Sequence, residues 1–123
     1  MSDITVNHTI LVVEDEPLVR MDAVSMLEDG GYDVVEAADA EQALTQLERR
    51  PDVDTLFTDV NMPGEMDGCA LAYAVIALRP DMRLFITSGA GVPEDGDCPA
   101  ESTFLPKPYT AEHLLRTLGQ AHQ

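Results

Sequence analysis

Residues 9–17 have the sequence TILVVEDEP. The run at 9–13 is rich in β-branched and aliphatic residues, which is typical of a strand buried on both faces. Glu14 and Asp15 end this run, and Pro17 suits the first turn of a helix, where its missing N–H is not needed. The stretch therefore predicts a buried strand, a short acidic loop and the start of a helix.

The same alternation of strand and helix patterns continues along the chain. Similar apolar runs predict further strands at 32–36, 53–59, 83–87 and 103–105. Apolar residues at helical spacing predict helices that begin near Pro17, Asp39, Gly68 and Thr110. Asp39 is followed three residues later by Gln42, an arrangement that resembles a capping box.

Residues 89–101 interrupt this alternation. They contain three glycines, two prolines and several acidic residues without apolar periodicity, so we expect a loop or a frayed short helix there. Elsewhere the pattern predicts an α/β fold, with a parallel sheet of five strands covered by helices on both faces. We expect about five helices, of which the fourth is short or irregular.

Length and charge limit the classes of function. The 123 residues fit one domain, and no DNA-binding or enzymatic module follows the last predicted helix, so we expect a single domain at 1–123 with no output domain. The formal net charge of −16 repels phosphate backbones and anionic lipid surfaces, which argues against direct nucleic-acid binding.

Apolar runs and cysteines indicate the compartment. The longest apolar run, at 70–78, is far shorter than the roughly 20 residues that span a bilayer, which argues against membrane insertion. The polar N-terminus does not resemble a signal peptide. We therefore expect a cytoplasmic protein in which Cys69 and Cys98, far apart and outside any CxxC pair, are free thiols.

Polar side chains follow most of the predicted strands. Glu14 and Asp15 follow the first strand, and Asp59 ends the third. Thr87 and Ser88 close the fourth strand, and Lys107 follows the fifth. Because ligands of open parallel sheets bind beyond the carboxyl ends of the strands, we expect these groups to meet at one edge of the sheet.

Electrostatics restricts what such a cluster does. Two carboxylates about 4 Å apart repel each other by about 4 kcal/mol at an effective dielectric constant near 20, so either a cation offsets the repulsion or one acid is protonated. Mg²⁺ suits a few carboxylates, waters and a phosphate oxygen. Lys107 is the only lysine of the chain and suits an incoming phosphoryl group. Asp59 is the best-placed carboxylate nucleophile, which would form an aspartyl phosphate.

At these residues the sequence resembles the receiver domains of two-component response regulators. The matching stretches are ILVVEDEP at 10–17, TDVNMP at 58–63 with Asp67-Gly68, FITSG at 85–89 and FLPKPY at 104–109. The resemblance implies a flavodoxin-like fold with strand order 2-1-3-4-5. Three features depart from the usual pattern: Glu at position 14, extra residues in the loop 63–68, and the segment 89–101 in place of a regular fourth helix.

The resemblance also implies roles for individual residues. Asp59 would be the phosphoacceptor, and Lys107, before a cis proline, would contact the phosphoryl group. Mg²⁺ would be bound by Asp15, Asp59 and the backbone carbonyl of Asn61, with Glu14 acting through water. Ser88 would be the switch hydroxyl, with Thr87 as the alternative, and Phe104 the aromatic residue that reports its state.

The implied function is that of a stand-alone response regulator, a phosphoacceptor and not an enzyme beyond self-catalysed phosphotransfer and autodephosphorylation. Its partners would be a histidine kinase or a histidine phosphotransfer protein, and an unidentified downstream protein. One alternative is a Mg²⁺-dependent phosphatase with an aspartate nucleophile, although Asn61 stands where a second acid is expected. The other is a degenerate receiver that acts only as a binding module, against which Asp59 and Lys107 argue.

Overall fold

The protein folds around one parallel β-sheet. The computed structural model describes residues 8–62, 64–89, 93–94 and 96–121. The five strands are β1 (Thr9–Val13), β2 (Asp33–Ala37), β3 (Val53–Asp59), β4 (Arg83–Ser88) and β5 (Thr103–Pro106). They pair in parallel in the order β2-β1-β3-β4-β5. The predicted strands, the parallel sheet and the order 2-1-3-4-5 are confirmed.

Helices connect most of the strands. They are α1 (Pro17–Asp29), α2 (Ala40–Arg49), α3 (Gly68–Leu78) and α4 (Ala111–Ala121). The described residues between β4 and β5 contain no helix, so of the loop and the frayed short helix expected at 89–101 they show the loop. Turn-forming residues explain this, since Gly96 has a φ of 90° and prolines flank it at 93 and 99. Among the described residues, no helix combines the length and apolar character needed to cross a bilayer.

The sheet is covered on both faces, and β1 shows this most clearly. Leu11 and Val13 pack in one cluster, which includes residues of α2 and α3, whereas Ile10 and Val12 pack in the other cluster, with residues of α1 and α4. All five residues of β1 are buried. Burial on both faces is the reason why the strand is a continuous apolar run instead of an alternating one.

Side-chain caps fix the beginnings of three helices. The Asp39 carboxylate accepts a hydrogen bond of 2.8 Å from the Gln42 N–H, and the Gln42 side chain accepts one of 2.9 Å from the Ala38 N–H. Thr110 accepts from the N–H of His113 at 3.0 Å. These contacts confirm the predicted starts of α2 and α4. Asp67 caps α3 in the same way.

The two cysteines form a disulfide bond. Cys69 lies in the first turn of α3, Cys98 lies between β4 and β5, and their Cα atoms are 4.5 Å apart. The prediction of two free thiols was therefore wrong. The cysteines are 29 residues apart in sequence, and they meet only because the chain after β4 folds back against the start of α3.

Arg79 joins three main-chain segments at the edge of the sheet opposite the carboxyl ends of the strands. Its guanidinium donates hydrogen bonds to the carbonyl of Val53 at 3.0 Å and of Arg50 at 3.2 Å, and a further one to the carbonyl of Leu47. The Arg79 side chain, which follows α3, thus donates hydrogen bonds to carbonyl groups at the end of α2 and at the start of β3.

Replacing Arg79 by alanine is expected to lower the free energy of unfolding by about 2–3 kcal/mol, because partly buried carbonyls lose a charged donor. Urea denaturation followed by circular dichroism measures this change. Arg83→Ala, at the exposed first residue of β4, is the matched control and should change stability little. Equal unfolding midpoints for the two variants would contradict the assignment.

Candidate functional site

The carboxyl ends of three strands bring an ammonium group between two carboxylates. Glu14 directly follows β1, Asp59 ends β3, and Lys107 directly follows β5. The Lys107 Nζ atom lies 3.0 Å from Oδ2 of Asp59 and 3.2 Å from Oε1 of Glu14. The structure therefore unites residues that are up to 93 positions apart in sequence.

Asp15 completes an acidic cluster. Carboxylate oxygens of Glu14, Asp15 and Asp59 all lie within 4.8 Å of one another. Glu14 and Asp59 are buried, whereas Asp15 is exposed, so the cluster opens to solvent on the side of Asp15. It is the only group of this kind among the described histidines, cysteines and acids.

Neighbouring backbone and side-chain groups fix the orientation of Glu14. Its Oε2 atom accepts a hydrogen bond of 3.2 Å from the Glu16 N–H. Its main-chain carbonyl accepts one of 2.8 Å from the guanidinium of Arg20, which also contacts Glu36. Arg20 is a supporting residue that the sequence analysis missed, because the pattern of α1 does not distinguish it from a solvent-exposed arginine.

Burial and charge act in opposite directions on the titration of the site. Burial raises the pKa of Glu14, and the nearby charge of Asp59 adds to this, although hydrogen bonds from Glu16 and Lys107 oppose it. Burial alone would lower the pKa of Lys107, but contacts with Asp59 and then Glu14 outweigh burial and raise it. The lysine is thus held as an ammonium group, and the three carboxylates still leave an excess of negative charge.

The backbone around Asp59 is fixed by close contacts. The Asn61 N–H donates to Oδ1 of Asp59 at 3.3 Å, and the Gly68 N–H donates to the carbonyl of Val60 at 2.8 Å. A Cβ atom at Gly68 would collide with the carbonyl oxygen of Asp59. Gly68 therefore allows the start of α3 to lie directly against the end of β3, a contact between backbones that sequence reasoning missed.

Ser88 and Thr87 lie at the end of β4, next to Asp59. Both residues are buried. The Ser88 carbonyl accepts a hydrogen bond of 3.0 Å from the Lys107 N–H, and the Thr87 carbonyl accepts one of 2.9 Å from the Val60 N–H. Ser88, and not Thr87, lines a cleft of about 610 Å³ together with Val60 and Asn61. The role of switch hydroxyl stays a prediction for Ser88, with Thr87 as the alternative.

Phe104 lies one strand further, in β5. It is paired with Ile86 of β4 and packs, partly buried, against the core cluster on the side of α3. Ile86 and Phe104 also line a second cleft, beside the chain segment that carries Cys98. The peptide bond between Lys107 and Pro108 is cis, as the resemblance to receiver domains implied.

Comparison with known proteins identifies the family. The sequence profile of the response regulator receiver domain matches residues 10–118. This chain belongs to the response regulator receiver family. Receivers are signalling modules and generally not enzymes, and phosphorylation of an aspartate and binding of Mg²⁺ at an acidic pocket are typical of them.

Two curated relatives illustrate the range of proteins that contain such a domain. The receiver is 38% identical over 125 residues to the sensor kinase CckA of Brucella abortus (strain 2308), and the match covers 97% of this chain but 13% of the kinase. It is 35% identical over 112 residues to the response regulator receiver protein CpdR of the same organism, covering 89% of this chain and 92% of CpdR. The chain thus spans a small part of the kinase and most of CpdR.

Solved structures share the fold of this receiver. The receiver domain of the hybrid histidine kinase CckA superimposes with a TM-score of 0.81 at 36% identity, covering 94% of this chain and 99% of that domain. The Vibrio cholerae chemotaxis protein CheY4 superimposes with a TM-score of 0.84 at 29% identity, covering 94% and 98%. The predicted chemotaxis-regulator-like architecture is therefore confirmed.

Replacing Gly68 by alanine is expected to lower the free energy of unfolding by about 1–3 kcal/mol, because the added methyl group forces α3 away from Asp59. The unfolding midpoint in urea measures this loss. In the control Gly119→Ala, the new Cβ meets nothing within 4 Å, and the helix gains up to about 1 kcal/mol. A Gly68→Ala protein as stable as wild type would contradict the close contact.

Proposed function

We propose that this receiver accepts a phosphoryl group on Asp59 from a phosphohistidine of a histidine kinase or histidine phosphotransfer protein. The observation that carries the proposal is the position of the Lys107 ammonium, 3.0 Å from Asp59 and 3.2 Å from Glu14 within the acidic cluster. A lysine and several carboxylates at the ends of different strands match the requirements of phosphoryl transfer, which depends on positioning and on charge stabilisation.

The acidic cluster also fits Mg²⁺. Its potential ligands are carboxylate oxygens close enough to share one ion, and hard oxygen ligands are those that Mg²⁺ prefers. Asp15, Asp59 and the Asn61 carbonyl would hold the ion directly, and Glu14 would act through a water molecule. When bound, Mg²⁺ supplies positive charge to the oxygens of the phosphoryl group.

The residues of the chain have separate tasks in the transfer. A carboxylate oxygen of Asp59 attacks phosphorus, the bond between phosphorus and the donor imidazole nitrogen breaks, and an acyl phosphate forms. Lys107 stays protonated and stabilises the negative charge of the phosphoryl oxygens. The hydrogen bond from Asn61 to Oδ1 and the contact with Gly68 keep the Asp59 carboxylate in position.

The phosphorylated site would then shift a conformational equilibrium. The Ser88 hydroxyl moves to the phosphoryl group, and Phe104 turns inward into the space beside Ile86. Ser88 is preferred over Thr87 because it lines the cleft next to Asn61. The phosphorylated conformation is recognised by other proteins, since the net charge of −16 disfavours binding to nucleic acids and to lipid surfaces.

The first test is labelling with acetyl phosphate and Mg²⁺, followed by intact-mass spectrometry. Wild type is expected to gain the mass of one phosphoryl group, and Asp59→Asn is expected to gain none, because the amide is not a nucleophile. Asp81→Asn, which changes an exposed acid before β4, should be labelled like wild type. An undiminished adduct in Asp59→Asn would exclude Asp59 as the acceptor.

The second test addresses the metal site by isothermal titration with Mg²⁺. Asp15→Asn is expected to weaken binding by at least about tenfold, because one charged ligand is lost. Asp22→Asn, an equivalent change at an exposed position of α1, should leave the affinity close to that of wild type. Wild type that fails to bind Mg²⁺ would favour a receiver that acts only as a binding module.

A further inference from the structure

A covalent bond and a hydrogen-bonding hydroxyl hold the 96–102 segment, which precedes β5, against α3. The covalent bond is the disulfide between Cys69 and Cys98. One turn further along α3, the Tyr73 hydroxyl lies 2.7 Å from the carbonyl of Gly96 and 3.2 Å from that of Cys98. The segment contains turns in place of a helix. It is therefore linked to α3 by one disulfide bond and, one helical turn away, by hydrogen bonds from the Tyr73 hydroxyl.

The disulfide lies next to the candidate phosphorylation site. Cys69 directly follows Gly68, whose Cα lies against the backbone of Asp59. Cys69 also lines the same cleft as Asn61 and Ser88. A change at this disulfide thus acts on a helix start that contacts the end of β3.

We propose that the Cys69–Cys98 disulfide is a thiol–disulfide exchange site, and that its reduction by a dithiol releases the 96–102 segment from α3. The inference goes beyond the phosphoacceptor function and does not depend on it. The receiver would then respond to the dithiol–disulfide balance in addition to the proposed phosphorylation.

The exposure of the two cysteine residues differs. Cys69 is only 4% exposed, whereas Cys98 is partly exposed at the surface. An attacking thiolate therefore reaches the sulfur of Cys98, and Cys69 becomes the leaving group. Cys69 suits this role because it lies in the first turn of α3, where the positive end of the helix dipole stabilises a thiolate.

The exchange is balanced by the reductant itself. The first thiolate of the dithiol forms a bond with the Cys98 sulfur, and the electron pair of the broken disulfide leaves on Cys69, which takes up a proton. The second thiolate of the reductant attacks its own mixed disulfide and releases Cys98 as a thiol. The dithiol is oxidised to a disulfide, and the protein gains two thiols.

Charge favours release once the bond is broken. Asp67, Glu94 and Asp97 all line the cleft next to the disulfide, and Glu94 and Asp97 are exposed. The charge of Asp67, which caps α3, repels those of Glu94 and Asp97 on the chain around Cys98, and the disulfide holds the two segments together. After reduction, the Tyr73 hydroxyl is the remaining described hydrogen-bond donor from α3 to this segment.

The test combines thiol counting with hydrogen exchange. Protein purified without reductant should take up no iodoacetamide under native or denaturing conditions, and after dithiothreitol it should take up two equivalents, one for each cysteine. Exchange of amides at 96–102 should then become at least about tenfold faster, while amides of α2, on the other side of α3, stay unchanged. Two reactive thiols before reduction, or unchanged exchange after it, would overturn the proposal.

Variants separate the exchange from its consequences. Cys69→Ser/Cys98→Ser should show the fast exchange with and without dithiothreitol, because it cannot form the bond. In single variants, the remaining Cys98 should react with iodoacetamide faster than the remaining Cys69, and the reverse order would exclude Cys98 as the attacked sulfur. Asp59→Asn should respond to dithiothreitol like wild type, so failure of the phosphoacceptor proposal and failure of this one are distinguishable.

Discussion

The ion pairs of Lys107 with Asp59 and Glu14 are the contacts on which the site depends. They connect the ends of three strands, since β1, β3 and β5 each position one of the charged groups. The parallel sheet makes this possible because all carboxyl ends meet at one edge. A charge arrangement of this kind is unfavourable for folding alone, since buried carboxylates lose hydration, and its presence at the usual ligand-binding edge indicates a functional constraint.

The opposite edge of the sheet has a different character. There Arg79 satisfies main-chain carbonyls of α2, the following turn and β3, and no acidic cluster of the kind found at the carboxyl ends occurs among the described residues. The two buried clusters lie between these edges and are built from apolar residues of the strands and of the helices that cover them. The molecule thus places the arginine that links main-chain segments at one edge of the sheet and the charged cluster at the other, which is the edge where α/β sheets generally bind ligands.

Much of the fold and of the site follows from local patterns. Continuous apolar runs identified the strands, and Asp39 and Thr110 identified helix starts, because a cap needs only neighbours within three residues. The convergence of Glu14, Asp59 and Lys107 followed from the topology of the sheet. Other features depend on distant backbones: the Gly68 contact with Asp59 and the disulfide between Cys69 and Cys98 have no local signature. The absence of a helix at the described residues of 89–101 could be predicted only in part. The glycines, prolines and missing apolar periodicity of this segment were compatible with either a loop or a frayed short helix.

The edge strands β2 and β5 limit how this receiver meets other proteins. Each is short, and β2 carries exposed acids at Asp33 and Glu36, whereas β5 ends in Pro106, which has no N–H to donate. Charges and proline on an edge strand discourage a foreign strand from adding to the sheet. Recognition is thereby left to side chains of helices and loops, whose contacts can be made and broken quickly without rebuilding a ladder of main-chain hydrogen bonds.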